Sequence, residues 1–276
     1  MLVVRLTSGT GNQLFQYAFA LYLKERYQDE VYLDKSPYLY RYPDRKCTID
    51  IVSDLSEIKD WRLYDQYRHI KYRLAKMLFS INPTTKHIRE SALSFPKNNK
   101  LLYFDGYWQT DKYIRLITDP DRLFRPKETM PESIKNYQDD IRQTRSISLH
   151  VRRGDYFSQA HQPTFGVCDK EYYEKAIQQA TEHLDSYKLF IFSDDPDWTT
   201  KHLHLPASSC FVKNDEINPF WYIYLMSLCQ DNIISNSSFS WWGAYMNKQA
   251  SKRVFAPLRW TLTSEKTLAL DDWIKL

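Results

Sequence analysis

Apolar and polar positions along the chain switch repeatedly between two periods. Met1–Leu6 is a short, valine-rich apolar run that predicts a buried strand. Ser8-Gly9-Thr10-Gly11 breaks it. From Asn12 to Tyr27 the spacing becomes helical, with Leu14, Ala18 and Leu21 on one stripe and Phe15, Phe19 and Tyr22 beside it. Glu30–Leu33 reads as a second strand, 34–50 as a polar, proline-containing loop, and 55–90 as a basic helical region. Leu101–Phe104 is again strand-like. The second half alternates more cleanly. It predicts a helix near 131–143, a strand at Ser146–Val151 and a helix at Lys170–His183. A strand at Leu189–Phe192 and a short helix at Pro196–His202 follow, then a helix at Ile217–Gln230. Asn232–Ser235 (strand), Phe239–Lys248 (helix) and Arg253–Ala256 (strand) complete the series. Strands alternating with helices predict βαβ units and a mainly parallel sheet. The proline-containing stretch 120–133 marks a boundary. The expected fold is therefore α/β: two Rossmann-like domains, 1–130 and 131–276, facing each other across a cleft.

Composition narrows the class. The chain has 276 residues, 43% hydrophobic and 26% charged, which excludes a wholly disordered or fibrous chain. No run approaches the ~18 apolar residues of a membrane-spanning helix, and Met1–Leu6 is too short for a signal-peptide core. Cys47, Cys168, Cys210 and Cys229 are scattered, with no C-x-x-C pair. That argues against structural zinc or a disulfide framework and for the reduced thiols of a cytoplasmic protein. A net charge of +4 does not call for nucleic acid. Aromatics reach 16%, with 21 Tyr and 8 Trp, and serve a core as readily as a sugar-stacking surface.

Four motifs carry candidate chemistry, each at a strand end. The first is Ser8-Gly9-Thr10-Gly11-Asn12-Gln13. A glycine turn before a helix lets backbone N–H groups approach a phosphate or sugar, and two amides at the helix start suit hydroxyl recognition. The motif lacks the third glycine of the dinucleotide fingerprint. The second is His150-Val151-Arg152-Arg153-Gly154-Asp155-Tyr156. Alternation along a strand points His150 and Arg152 one way and Arg153 the other. Adjacent guanidiniums at a strand end need anions, and either a diphosphate or a structural carboxylate supplies them. The third is Phe192-Ser193-Asp194-Asp195, which places a carboxylate where a ribose or guanine edge would donate to it. The fourth is Asn236-Ser237-Ser238-Phe239-Ser240-Trp241-Trp242, where small polar residues at a helix start make a phosphate cradle. Asp119-Pro120-Asp121 and Asp195-Pro196-Asp197 spell the D-x-D pattern of metal-dependent sugar transferases. Each proline instead reads as a helix start with acidic capping, so no metal is expected.

Together with Gly106-Tyr107-Trp108-Gln109 and Lys112-Tyr113, these motifs resemble the bacterial α-1,2-fucosyltransferases of glycosyltransferase family 11, in family order from residue 7 to 247. Two departures stand out. The family usually has paired glycines where this chain has Ser8-Gly9, and residues 34–100 carry no family motif that can be placed from the sequence. The resemblance implies a GT-B fold with donor bound mostly by the C-terminal domain and acceptor on the N-terminal side. It implies GDP-β-L-fucose as co-substrate, a galactose-terminated oligosaccharide (lipid-linked in a bacterium) as acceptor, inversion, and no cofactor or metal. Carried over, Arg152, Arg153 and His150 hold the leaving phosphate. Asp194 faces the nucleoside. Asn236, Ser237, Ser238, Phe239 and Ser240 line the diphosphate, and Gly9, Gly11, Asn12 and Gln13 form the opposite wall. Asp155, Asp169 and Glu171 are candidate general bases, with Asp155 favoured because Gly154 turns it. A base-free route, with the proton passing to the leaving phosphate, stands beside it. Two competing readings are a GT-B transferase of another nucleotide sugar and a non-catalytic nucleotide- or glycan-binding protein. Around Tyr67–Phe79, Lys71, Arg73 and Lys76 lie near Ile70, Leu74, Met77 and Phe79. This spacing suggests a peripheral contact with the inner face of the membrane.

Overall fold

The computed structural model describes residues 1–40, 45–58, 85–90, 101–154, 168–213, 216–262 and 267–276. The chain divides into two compact units, Met1–Lys127 and Glu128–Leu276.

The first unit holds β1 (Leu2–Arg5), α1 (Thr10–Tyr27), β2 (Val31–Asp34), α2 (Pro37–Tyr40), β3 (Thr85–Arg89), β4 (Leu101–Asp105) and α3 (Asp111–Ile114). Its four strands run parallel in the order β2-β1-β4-β3. β1 is buried along its whole length: apolar Leu2–Val4 suit a central parallel strand, and buried Arg5 is paired with Asp105 at 2.8 Å. α1 is buried on nearly every side, so its apolar residues spill beyond one stripe. It ends where Gln28 turns into the left-handed region (φ 50°) and its N–H returns to Lys24 O at 3.0 Å. Phe19 on α1 stacks on Trp108 at 3.9 Å between ring centroids.

Two further residues of this unit adopt the left-handed conformation, Ser8 (φ 68°) and Trp108 (φ 57°). Ser8 is where the resembling family keeps a glycine. The backbone shape that favours glycine is retained here at a serine, at a cost of about 1 kcal/mol. Trp108 is 1% exposed and its indole N–H has no hydrogen-bond partner among the described residues. Backbone and side chain are therefore both strained at one residue.

The second unit holds α4 (Glu132–Gln143), β5 (Ser146–Val151), α5 (Lys170–Thr181), β6 (Lys188–Ser193), α6 (Pro196–His202) and β7 (Cys210–Phe211). α7 (Phe220–Leu228), β8 (Asp231–Ile233), α8 (Ser238–Met246), β9 (Val254–Ala256) and β10 (Ile274–Lys275) follow. Its sheet is parallel, in the order β10-β9-β8-β5-β6-β7. Ile147, Leu149 and Val151 of β5 share one apolar cluster with Tyr173, Ala176, Ile177 and Ala180 of α5. Ser148 and His150 alternate to the other face. There Asn232 donates to Ser148 Oγ at 2.7 Å and Asn247 donates to Asn232 Oδ1 at 2.7 Å, so these buried polar groups are satisfied. At the amino-terminal end of β8, fully buried Asp231 is clamped by Arg145 and Arg253, each at 2.7 Å. Trp241 and Trp242 are core residues, 1% and 0% exposed.

Three expectations change. The 34–50 loop contains the helical turn α2 and a 3-10 turn at Ile49–Ile51. Within the region read as helical, Thr85–Arg89 is a strand, because its backbone pairs with β4. The rest of that region, 59–84, with the membrane-contact segment Tyr67–Phe79, lies outside the described residues. β7 and β10, two residues each, are too short to print a period on the sequence. No helix among the described residues is long and apolar enough to cross a membrane.

Candidate active site

The second unit winds from β5 to β6 and β7 on one side, then returns to place β8, β9 and β10 on the other. Such a reversal opens a crevice outside the carboxyl-terminal ends of the strands flanking it, here β5 and β8. Both strands end in expected motifs. Across the reversal, His150 Nδ1 meets Ser235 Oγ at 2.8 Å, and Ser235 Oγ lies 3.5 Å from Ser240 Oγ. His150 is buried, and its pKa falls to about 3, first because burial penalises the charged ring and second because Arg152 is nearby. It is thus a neutral tether between β5 and the start of α8, not a titrating acid or base near neutral pH.

α8 begins on Ser237, whose Oγ accepts from Phe239 N at 3.3 Å. No acidic residue sits in its first turn, so the positive end of the helix dipole is not offset there. Ser238 and Phe239 are part-exposed, whereas Ser240 and Asn236 are buried. Asn236 donates to Trp260 O at 3.2 Å and accepts from Cys168 Sγ at 3.6 Å. Its side chain therefore fixes the turn, while the helix start presents the cradle.

On the β6 side, one carboxylate organises the second motif. Asp194 accepts from Arg153 N at 2.8 Å and Gly154 N at 3.1 Å, and pairs with Arg152 Nη1 at 2.9 Å. A Cβ at Gly154 would stand 2.8 Å from Asp194 Oδ2, so glycine is what lets the carboxylate come this close. Asp194, expected to face a nucleoside, instead shapes the turn that carries Arg152. Arg153 follows the predicted alternation to the opposite face. There its guanidinium lies 3.6 Å from the centre of the Trp198 ring and pairs with Asp195 at 3.3 Å. Arg153 thus acts as structural glue, and Arg152, with about a third of its side chain exposed, is the cation presented at the edge. Asp195 also caps α6 through Trp198 N at 3.1 Å, as expected of a helix start. Sequence reasoning missed Ser235 and Trp198. Ser235 was visible as the first member of a polar run, whereas contact of Trp198 with Arg153 depends on packing across a loop and leaves no local signal.

Of the base candidates, Asp169 caps α5 through Tyr172 N at 2.8 Å and Glu171 is exposed in the first turn of that helix. Asp155 lies outside the described residues. No group of three or more His, Cys, Asp or Glu among the described residues is arranged to hold a metal ion.

The first unit has its own reversal, between β1 and β4. Gln13, fully buried, accepts from Thr48 N, Thr48 Oγ1 and Ile49 N at 2.8–3.1 Å and donates to Ser8 O at 3.1 Å. It is a clamp for the 45–51 segment, not part of an exposed wall. Gly11 is buried. Gly9 is different: its φ is −84° and a Cβ there would find nothing nearer than Arg45 Nη1 at 4.0 Å. The fold does not demand glycine at that position. Asn12, part-exposed, accepts from Gln109 Nε2 at 2.6 Å across the reversal.

Two parallel α/β units are the architecture of the GT-B class of glycosyltransferases. Residues 58–275 match the family described as Glycosyl transferase family 11, and the chain belongs to that family. It is 30% identical to the O-antigen biosynthesis glycosyltransferase WbnK of Escherichia coli, over 98% of this chain and 99% of that one. It is 28% identical to an alpha-1,2-colitosyltransferase of Escherichia coli, over 94% of this chain and 92% of the relative. In fold it resembles the crystal structure of fucosyltransferase NodZ from Bradyrhizobium, with a TM-score of 0.51 at 16% identity, covering 88% of this chain and 91% of that one.

Proposed function

We propose that this chain moves L-fucose from GDP-β-L-fucose to the 2-hydroxyl of a terminal β-galactoside, with inversion, during assembly of a bacterial surface glycan such as O-antigen. The observation that carries the reading is the β5/β8 edge, where Arg152 and the start of α8 flank the reversal point. A diphosphate is the ligand such a pair suits. Family membership supports glycosyl transfer, and the name of the WbnK relative supports surface-glycan assembly. The 2-linkage draws support from a further relative, the galactoside 2-alpha-L-fucosyltransferase of Caenorhabditis elegans, 24% identical over 95% of this chain.

In this mechanism the acceptor 2-oxygen attacks the anomeric carbon as the bond to the β-phosphate oxygen breaks. The sugar passes through an oxocarbenium-like state. Negative charge grows on the departing GDP, and Arg152 with the N–H groups of α8 stabilises it more than the ground state. The acceptor proton leaves to Asp155 or to the departing phosphate. Arg152 takes the part a divalent cation plays in other transferases, so transfer proceeds in excess EDTA. The second reading, transfer of colitose, draws on the 28% relative. The test is incubation with GDP-fucose or GDP-colitose and a panel of β-galactosides, with EDTA, followed by linkage analysis of the product. An α-1,2-fucosylated product supports the first reading, and activity with GDP-colitose alone replaces it with the second.

A further inference from the structure

The turn that carries Arg152 is held in two different ways. Asp194 holds its backbone, accepting from Arg153 N and Gly154 N while its own N–H donates to Val151 O at 3.4 Å. The Arg153 side chain holds it from the other face, and that side chain is itself pinned. Only 12% of it is exposed. Its guanidinium lies 3.6 Å from the centre of the Trp198 ring, and its Nε donates to Asp195 Oδ2 at 3.3 Å. Trp198 is in turn a fixed platform. Asp195 Oδ1 accepts from Trp198 N at 3.1 Å, so one carboxylate secures both the ring's backbone and the cation resting on the ring. Trp198 meets Tyr173 edge-on at 6.4 Å between centroids and packs on the apolar cluster of β5 and α5. His202, one turn further along α6, stacks on the indole at 4.9 Å, and its Nδ1 donates to Trp198 O at 2.9 Å.

Neutralising Arg153 needs only Asp195, and an ion pair that reaches solvent fixes a long side chain weakly. A ring under the guanidinium adds position to charge, because the attraction fades once the cation leaves the ring face. Arg152 and Arg153 share one peptide bond and leave the strand end on opposite faces. A backbone rotation at Arg153 therefore swings the Arg152 guanidinium, which lies several bonds out on the other side. Stabilising a departing phosphate tolerates little such movement, since the cation must already stand where charge develops. We propose that Trp198 is a positioning residue for transfer: by seating Arg153 it fixes the backbone from which Arg152 reaches the diphosphate. This rests on the diphosphate reading of the β5/β8 edge above.

The test compares wild type with Trp198→Leu, which keeps an apolar side chain and removes the aromatic face, and with Trp198→Phe, which keeps a ring. A third variant, Arg153→Lys, keeps the charge and removes the plane. The readouts are the kinetics of transfer from GDP-fucose and the affinities for GDP and GMP by calorimetry. Only GDP carries a β-phosphate, so the ratio of GDP to GMP affinity reports Arg152 without turnover. Trp198→Leu is expected to lower kcat by ~10–100-fold while the acceptor KM stays within about twofold. The GDP-to-GMP ratio falls by about tenfold with GMP affinity unchanged, as expected when a charged contact loses its geometry. Trp198→Phe restores most of both, and Arg153→Lys reproduces the defect of Trp198→Leu. In the double variant the losses do not add, because each change removes the same stack. A merely structural role would weaken GDP and GMP together, or lower the folded fraction, and leave the ratio intact. An intact ratio in folded Trp198→Leu overturns the proposal while the diphosphate reading stands. Should Trp198→Leu fail to fold, Arg153→Lys decides by the same ratio. Wild type that binds GMP as tightly as GDP overturns the diphosphate reading, and the positioning role with it.

Discussion

The two units share one feature of topology, a reversal beside the first strand, and carry different side chains on it. In each, the first strand made (β1 or β5) ends up inside the sheet, and the winding reverses beside it. In each, a side-chain hydrogen bond spans the reversal: Asn12 with Gln109 in the first unit, His150 with Ser235 in the second. Around the second bridge stand a guanidinium and a helix start; around the first stand amides and an exposed tyrosine. Topology says where a ligand goes, and the side chains at the strand ends say which ligand.

The sharpest test of this contrast is Arg152→Ala. It is expected to lower turnover by ~10²–10³-fold or more while leaving the unfolding transition in place, because the lost interaction belongs to the leaving phosphate. Arg152→Lys should also fail, since a point charge does not reproduce a fork. Turnover within tenfold of wild type would remove the cation from the site. Gln13→Ala is the opposite probe. Removing the amide leaves the backbone N–H groups of Thr48 and Ile49 without their acceptor. Urea unfolding should show a loss on the order of 3 kcal/mol, with GDP affinity unchanged. Full stability with lost GDP binding would reverse the assignment of the two edges.

His150 supplies a pH signature. Its native pKa, about 3, lies below its ordinary value of 6.5, so the unfolded chain takes up a proton that the native chain refuses. The corresponding stability is complete above pH 6.5 and drains as pH falls toward 3, at up to about 1.4 kcal/mol per pH unit. In His150→Asn the slope of stability against pH between 6.5 and 4 should flatten, and an unchanged slope would show that other groups set it. The smallest effect belongs to Ser8→Gly. Relief of the left-handed strain should raise stability by about 1 kcal/mol, visible as a melting temperature higher by ~2–4 °C. A lower melting temperature would mean that Ser8 is held by interactions worth more than the strain.

The strand–helix alternation of the second unit was legible because β5 and β6 are central, apolar and long enough to show a period. The 34–50 segment and β3 were not, since a 3-10 turn and an edge strand take their shape from neighbours distant in sequence. At the site, residue types were legible but their duties were not. Of two adjacent arginines, only packing assigns Arg153 to Trp198 and Arg152 to the edge. Asp194 looked like a ligand contact because it ends a strand at the correct edge. Only the approach of Gly154 shows that it grips the neighbouring loop.

The placement of β1 and β5 also governs how the chain is made. β1 cannot complete its ladder until β4 has been synthesised, and β5 must wait for β8. At ordinary translation rates each wait lasts on the order of ten seconds. Throughout it, an apolar strand such as Leu2–Arg5 keeps a row of unpaired backbone groups, the arrangement that seeds aggregation. The winding reversal that creates each binding edge therefore also delays closure of each sheet. Early chaperone contact with the unpaired strands should raise the yield of folded protein.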